Sequence, residues 1–204
     1  MVRPRSILAH EKVLNAAISL FSERGIEGAS MDAIARESGV SKATIYNHWT
    51  NKEALLLEVM LYVNGLHREP EDVDTGDLKR DLTIVLTRKP PDEFEYARDR
   101  MMASLIAYSA IHTEFGAQWR HSVMEPPRQC IKRALQRGME RGVLSRNLDL
   151  ETCVALLLGP MLYTHIFHKD DPDRRPDIGE QVAETFCCAY EMQTKEASQL
   201  PRRG

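Results

Sequence analysis

The sequence predicts an all-α protein of about nine helices, a small N-terminal three-helix group followed by a larger helical body. Three observations predict it. Apolar residues recur at intervals of three and four through almost the whole chain, the period of a helix with one buried face. Strand-like alternation of apolar and polar residues is scarce. Serine, asparagine and aspartate stand just ahead of the periodic segments, and glycine just behind several of them, which is the start and stop chemistry of helices.

The elements follow in order. Leu14, Ala17, Ile18 and Phe21 fall at i, i+3, i+4 and i+7 and form the apolar stripe of a first helix over about 7–24, with Gly25 as its stop. Ser30 caps a second helix over 31–38, with Asp32 in its first turn, and Gly39 breaks the chain. Ser41 caps a short third helix over about 42–49. Thr50-Asn51-Lys52-Glu53 reads as a capping box that opens a fourth helix, to about residue 65. The charged, turn-rich segment HREPEDVDTGD, residues 67–77, is a connection. Helices over about 77–88, 92–111 and 113–141 come next, and Pro126-Pro127 is expected to kink or split the third. Asn147-Leu148-Asp149 opens a long apolar helix over about 149–168, with a bend expected at Gly159-Pro160. A loop at 170–177 and a last helix over about 178–195 complete the chain, whose final residues are expected to fray.

Composition narrows the class. Of 204 residues 43% are apolar, enough for packed cores. The formal net charge of -3 excludes a basic coat for nucleic acid. The charge is uneven, however: residues 1–52 hold seven Lys/Arg against five Asp/Glu, and the remainder holds 20 against 25. A mildly basic head on an acidic body fits local contact with a polyanion. Four cysteines, Cys130, Cys153, Cys187 and Cys188, read as reduced thiols. No signal core and no stretch near ~20 uninterrupted apolar residues is present, so a soluble, cytoplasmic protein with no membrane partner is expected.

Residues 31–49 read as a helix-turn-helix. Ile34 and Ala35 face inward, Gly39 supplies a left-handed turn, Val40 closes it, and Ile45 anchors the second helix. That helix presents Lys42, Ala43, Thr44, Tyr46, Asn47 and His48, small or hydrogen-bonding side chains suited to the DNA major groove. Lys42 and Lys52 each stand at a helix start, where a cation opposes the macrodipole by ~0.3–1 kcal/mol. A phosphate between lysine and helix end reverses the sign, so both lysines are expected to be phosphate clamps.

The segment VLNAAISLFSERGIEGASMDAIARESGVSKATIYNHWTNKEALLLEVM resembles the DNA-binding domain of the tetracycline-repressor (TetR) family, a likeness covering about residues 7–62. It rests on Phe21 and Gly25, on Met31-Asp32-Ala33-Ile34-Ala35, on Gly39-Val40-Ser41, and on Tyr46 and Lys52-Glu53. Asn47 stands where arginine or tyrosine is frequent, and Trp49 replaces the usual phenylalanine, which reads as a repacked core. The resemblance implies a helix-turn-helix DNA-binding domain at 1–52, linked through the fourth helix to an effector-binding and dimerisation domain at 53–204. It implies a homodimeric transcriptional regulator, a repressor released by a small-molecule effector. By position, Lys42, Tyr46, His48 and Lys52 would hold phosphates, while Lys42, Ala43, Thr44 and Asn47 would face bases. Ser30 and Ser41 join the interface, though capping explains Ser30 equally well. Arg3 and Arg5, ahead of the first helix, read either as a further groove contact or as a basic tail.

Residues 126–167 resemble the C-terminal half of a subgroup of the family through Gly138, Gly142, Asp149, Gly159 and Pro160. By that likeness the last two helices pair with their copies in a dimer, and the operator is a palindrome. Val154, Leu157, Leu158, Met161, Leu162 and His165 give the long helix more apolar surface than one neighbour covers. Candidates for an effector pocket are Met101, Met102, Leu105, Tyr108, Trp119, Met124, Met161, Tyr163 and His165, each also readable as ordinary core. His112 and His121 read as surface residues or ligand contacts.

Other classes carry weaker signals. No glycine-rich phosphate loop, nucleophile elbow or zinc-protease helix occurs, so neither an enzyme nor a cofactor is expected. His165 and His168, with Asp170, Asp171 and Cys153, leave open a metal-responsive sensor on the same head. A ligand-independent regulator stays open as well.

Overall fold

The computed structural model describes residues 4–167 and 178–191, with side chains from Ile7 onward. Arg3, the side chain of Arg5, His168, Asp170, Asp171 and the residues after 191 lie outside the described residues. The regular elements among the described residues are helical: α1 Pro4–Gly28, α2 Met31–Ser38, α3 Lys42–Tyr46, α4 Lys52–Val63, α5 Leu78–Leu86, α6 Glu95–Ile111, α7 Thr113–Trp119, α8 Glu125–Glu140, α9 Leu150–Phe167 and α10 Gly179–Tyr190. A 3-10 turn, Asp92–Phe94, precedes α6, and a π-helical turn, Arg120–Met124, joins α7 to α8.

The chain forms two compact units. The first comprises residues 4–71, 88–128 and 164–167, and the second residues 72–87, 129–163 and 178–191. The division expected at 52/53 is therefore not where the units separate. α4, α6 and α7 belong with the head because Leu55, Leu56, Val59, Met101, Leu105 and Phe115 share one core with Val13, Ala17, Phe21 and Ile34.

Local chemistry explains most boundaries in the first unit. α1 breaks at Gly25, whose φ of 71° is left-handed, and ends a turn later at Gly28. Gly39, at φ 67°, ends α2. α4 is capped by Asn51, whose Oδ1 accepts from the Ala54 N–H at 2.8 Å. The capping box expected at Thr50 does not form, because Asn51 is the cap and Ala54, not Glu53, holds the third helical position; the Glu53 carboxylate instead accepts from Tyr108. Pro126-Pro127 do not split their helix where they stand. They sit in the first turn of α8, and the π-helical turn lies just upstream. Two missing N–H groups and the proline rings disrupt the hydrogen bonds back to the preceding turn, which widens.

In the second unit, Leu82, Ile131, Leu135, Val154, Leu157 and Phe186 form the core. α10 crosses α5 closely: a Cβ on Gly179 would lie 3.0 Å from the Leu86 backbone. Residues 72–77 run along the end of α8, where Arg133, Arg137 and, just past the helix, Arg141 are spaced at i, i+4 and i+8. Arg133 and Arg137 donate to Asp72 at 3.1 and 2.9 Å, and Arg141 donates to Asp74 at 2.8 Å.

α9 runs through Gly159-Pro160 as one helix. By length and mean hydropathy alone it could cross a membrane, but Glu151, Thr152, Thr164 and His165 interrupt it, so it is not an uninterrupted apolar stretch, and only 17% of it is buried. Cys153, Val154 and Leu157 face the core, whereas Leu156 and Leu162 are 45% and 43% exposed. Of the six residues expected to supply the excess apolar surface, Val154 and Leu157 are buried and Leu162 is exposed, and Leu156, which is not among the six, adds to the exposed face.

Candidate nucleic-acid interface

α3 has five residues, too few to hold helical form alone, so its placement depends on its anchors. At its start the Ser41 hydroxyl accepts from the Thr44 N–H at 3.2 Å and lies 2.8 Å from Thr44 Oγ1. Beneath it Ile45 is buried on Ile34, and just beyond it Trp49 is buried too. Lys42, Ala43, Tyr46, Asn47 and His48 are exposed, and Thr44 is half-buried. Asn47 and His48 lie in the turn after α3, not within a helix reaching residue 49. Ser30 is the cap of α2, its hydroxyl accepting from the Ala33 N–H at 3.2 Å. The expected residues are therefore spread over α3, the turn after it and the start of α2.

The two lysines part company. Lys42 Nζ lies 2.5 Å from Asp32 Oδ1, and both side chains are more than half exposed. An exposed pair of this kind is worth only ~0–1 kcal/mol, so a phosphate can replace Asp32 at small cost. Lys52 is half-buried and directed inward, correcting its expected place as an outward clamp. Its ammonium donates to the Ile26 carbonyl at 2.9 Å and stands 5.6 Å from the centre of the Tyr108 ring. The carbonyl left open near the end of α1 attracts a cation.

Around Lys52 the head meets α6. The Tyr108 hydroxyl donates to Glu53 Oε1 at 3.0 Å, and its ring stacks on His112 at 3.8 Å. His112 Nε2 is 3.3 Å from Glu27 Oε1, and Nδ1 is 3.6 Å from Glu53 Oε1. Burial, reinforced by the Glu53 carboxylate, pushes the Tyr108 hydroxyl up to about 12. His112 is thus part of a joint between α1, α4 and α6.

A second polar cluster lies behind α3. Trp49 Nε1 donates to Glu58 Oε2 at 2.5 Å, and His10 Nε2 lies 2.7 Å from Glu58 Oε1. Trp49 is therefore not simply an apolar filler. Neither His10 nor Glu58 stands out in the sequence, since the cluster draws single residues from α1, α4 and the turn between α3 and α4.

The nine effector-pocket candidates do not line one cavity. Met101, Leu105, Tyr108 and Trp119 are buried in the core of the first unit, where α6 packs on α1, and Met102 is half-buried. Met161 and Tyr163 belong to the second unit, and His165 lies in the first, 3.5 Å from Asp99. Met124 borders a cleft of about 380 Å³ with Arg120, His121 and Arg128. A cleft of about 420 Å³ between α9 and α10 contains none of the nine. Among the described residues no group of three or more His, Cys, Asp or Glu is placed to hold a metal.

The pattern of the bacterial regulatory proteins of the tetR family matches residues 13–59, and that of the tetracyclin repressor-like C-terminal domain matches residues 72–185. The chain belongs to the TetR family. This TetR-family protein is accordingly a helix-turn-helix transcriptional regulator and not an enzyme. It is 31% identical over 170 residues to the uncharacterized HTH-type transcriptional regulator YdeS of Bacillus subtilis, covering 83% of this chain and 84% of that one. It is 44% identical over 152 residues to the regulator UidR of Escherichia coli, covering 72% and 74%. The fold is similar to that of the fatty acid degradation regulator FadR from Bacillus halodurans, with a TM-score of 0.60 at 17% identity over 92% of this chain and 95% of the other. It is likewise similar to FadR from Bacillus subtilis in complex with stearoyl-CoA, with a TM-score of 0.59 at 19% identity over 87% and 97%.

Proposed function

We propose that this TetR-family protein is a cytoplasmic homodimeric repressor that reads a palindromic operator through α3 and releases it when a small-molecule effector binds. The observation that carries this reading is the exposed face of α3 and the turn after it, held from beneath by Ile45 and Trp49. Lys42, Ala43, Thr44 and Asn47 meet base edges, with Asn47 suited to a bidentate pair with adenine and Thr44 to a thymine methyl. Tyr46, His48 and the capped starts of α2 and α3 at Ser30 and Ser41 meet phosphates, and Lys42 joins them by leaving Asp32. Lys52, bound to Ile26, steadies the head from behind.

The exposed apolar surface of α9 supports a dimer. Leu156 and Pro160 border the cleft that α9 makes with Val182, Phe186 and Tyr190 of α10, and a second copy packed two-fold covers that face. Two α3 helices then stand about 34–36 Å apart, one turn of DNA.

An effector is supported by the Trp119 indole N–H, which is buried without a hydrogen-bond partner among the described residues. Such orphans are rare in native cores, and a ligand oxygen would satisfy this one. The FadR complex with stearoyl-CoA, in a chain of like fold, agrees with a small-molecule effector here. The signal passes through α4, whose Glu53 meets α6 at Tyr108. A coupling of about 1–3 kcal/mol is enough.

The test is selection of duplex DNA by the purified protein, then anisotropy titration of the winning site against scrambled DNA at several salt concentrations. A palindromic winner bound by a dimer with a steep salt slope is expected. A non-palindromic winner bound by a monomer would overturn the dimeric reading, and no enrichment would overturn α3 as a free-standing reader.

A further inference from the structure

We propose that Glu58 and His10 are positioning residues for DNA recognition: the Glu58 carboxylate fork holds Trp49 and His10, and through them orients α3 and His48. The inference rests on α3 being the reading helix. Both oxygens of Glu58 are in use, Oε2 by the Trp49 indole N–H at 2.5 Å and Oε1 by His10 Nε2 at 2.7 Å. The His10 ring stacks on Trp49 at 4.8 Å and 28°, and meets His48 edge-on at 5.7 Å and 76°. His48 in turn lies 5.5 Å from Trp49. Three elements are thereby pinned at one point: α1 through His10, the turn after α3 through His48 and Trp49, and α4 through Glu58.

The need for such a pin follows from the length of α3. A helix of five residues has its direction set by its two ends. Its start is fixed by the Ser41 cap. Its far end is fixed by Ile45 and Trp49, and apolar burial alone leaves an indole ring free to pivot, because it is non-directional. A charge-assisted hydrogen bond supplies the missing direction. Phenylalanine at position 49 would fill much of the same space but could not donate to Glu58. When that bond is lost, a tilt of α3 about its capped start moves Asn47 and His48 most, since they lie at the released end. Base-edge pairing depends on that placement far more than the diffuse attraction to phosphate does.

Three variants test this: Trp49→Phe, Glu58→Ala and Glu58→Gln. The last keeps an oxygen acceptor for the indole. Two readouts are taken, amide hydrogen exchange across α3 without DNA, and affinity for the selected operator against scrambled duplex. Loss of one charge-assisted bond predicts an operator affinity about ten-fold weaker for Trp49→Phe and Glu58→Ala. Affinity for scrambled DNA and the salt slope should stay within about two-fold of the parent. Exchange at the hydrogen-bonded amides of residues 44–49 should quicken while α2 keeps its protection, and Glu58→Gln should recover most of both effects. Unchanged exchange in α3 would overturn the positioning role whatever the DNA result. So would equal losses on operator and scrambled DNA, or a fall in melting temperature with operator affinity intact. If the parent itself selects no sequence, the reading of α3 as a recognition helix fails instead, and the exchange data still decide whether Glu58 orders it.

Discussion

Lys42 and Lys52 carry the same charge at equivalent places, the first residues of α3 and α4, yet their surroundings give them different tasks. Lys42 →Ala removes an exposed ammonium whose present partner, Asp32, is itself exposed. It should leave the urea midpoint almost unchanged and lower the salt slope of DNA binding by about one per protomer. Lys52→Ala breaks a half-buried bond to the Ile26 carbonyl and should cost about 1–2 kcal/mol of folding stability in urea titrations. Its salt slope should stay near that of the parent. Asn47→Ala belongs with neither: relaxed preference at one base pair per half-site, at about 1–3 kcal/mol, is the expected result of repeating the selection. Equal weakening on every sequence would count against base reading. The contrast between the lysines was not legible from their spacing, because the groups that decide it, Asp32 and the Ile26 carbonyl, lie on α2 and near the end of α1.

Among the elements, the strap at 72–77 is held to α8 by charged hydrogen bonds. Hydrogen bonds and charge from Arg141 hold the Asp74 carboxyl below the usual carboxylate range. For Asp72, desolvation pushes the other way, but hydrogen bonds from Arg133 and Arg137 outweigh it. A carboxyl whose folded value is depressed contributes stability above its unfolded value, and loses that contribution as pH falls through the folded one. Thermal midpoints followed from about pH 5 to about pH 2 should therefore decline below the ordinary 3.8. Asp74→Asn should make that decline shallower, and an unaltered acid limb would show that the strap is held by other contacts. This segment reads in sequence only as a charged connection, since its partners lie about 60 residues on. Helices with their own start and stop residues were legible: Ser30, Gly39 and Ser41 sit where expected. The π-helical turn was not, because the prolines displace their disturbance upstream.

At the scale of the whole molecule, α9 is the element that remains to be covered. Leu156→Glu places a charge on its open apolar face, not in the core. Sedimentation should show a folded monomer with unchanged helicity, and its operator affinity should collapse to that of a single reading head. A variant that stays dimeric would move the interface elsewhere. The periodicity of α9 showed that it is apolar on more than one side, but not which side lies outward. That depends on where α5, α8 and α10 fall. The joint formed by Glu27, Lys52, Glu53, Tyr108 and His112 has a practical consequence for anyone building chimeras. A reading head cut at residue 52 and grafted onto another regulator's body would leave behind the tyrosine and histidine that complete its rear wall. The unit that shares one core with the reading head is residues 4–71 together with 88–128 and 164–167, so a transplant is a swap of discontinuous pieces rather than a splice at one point.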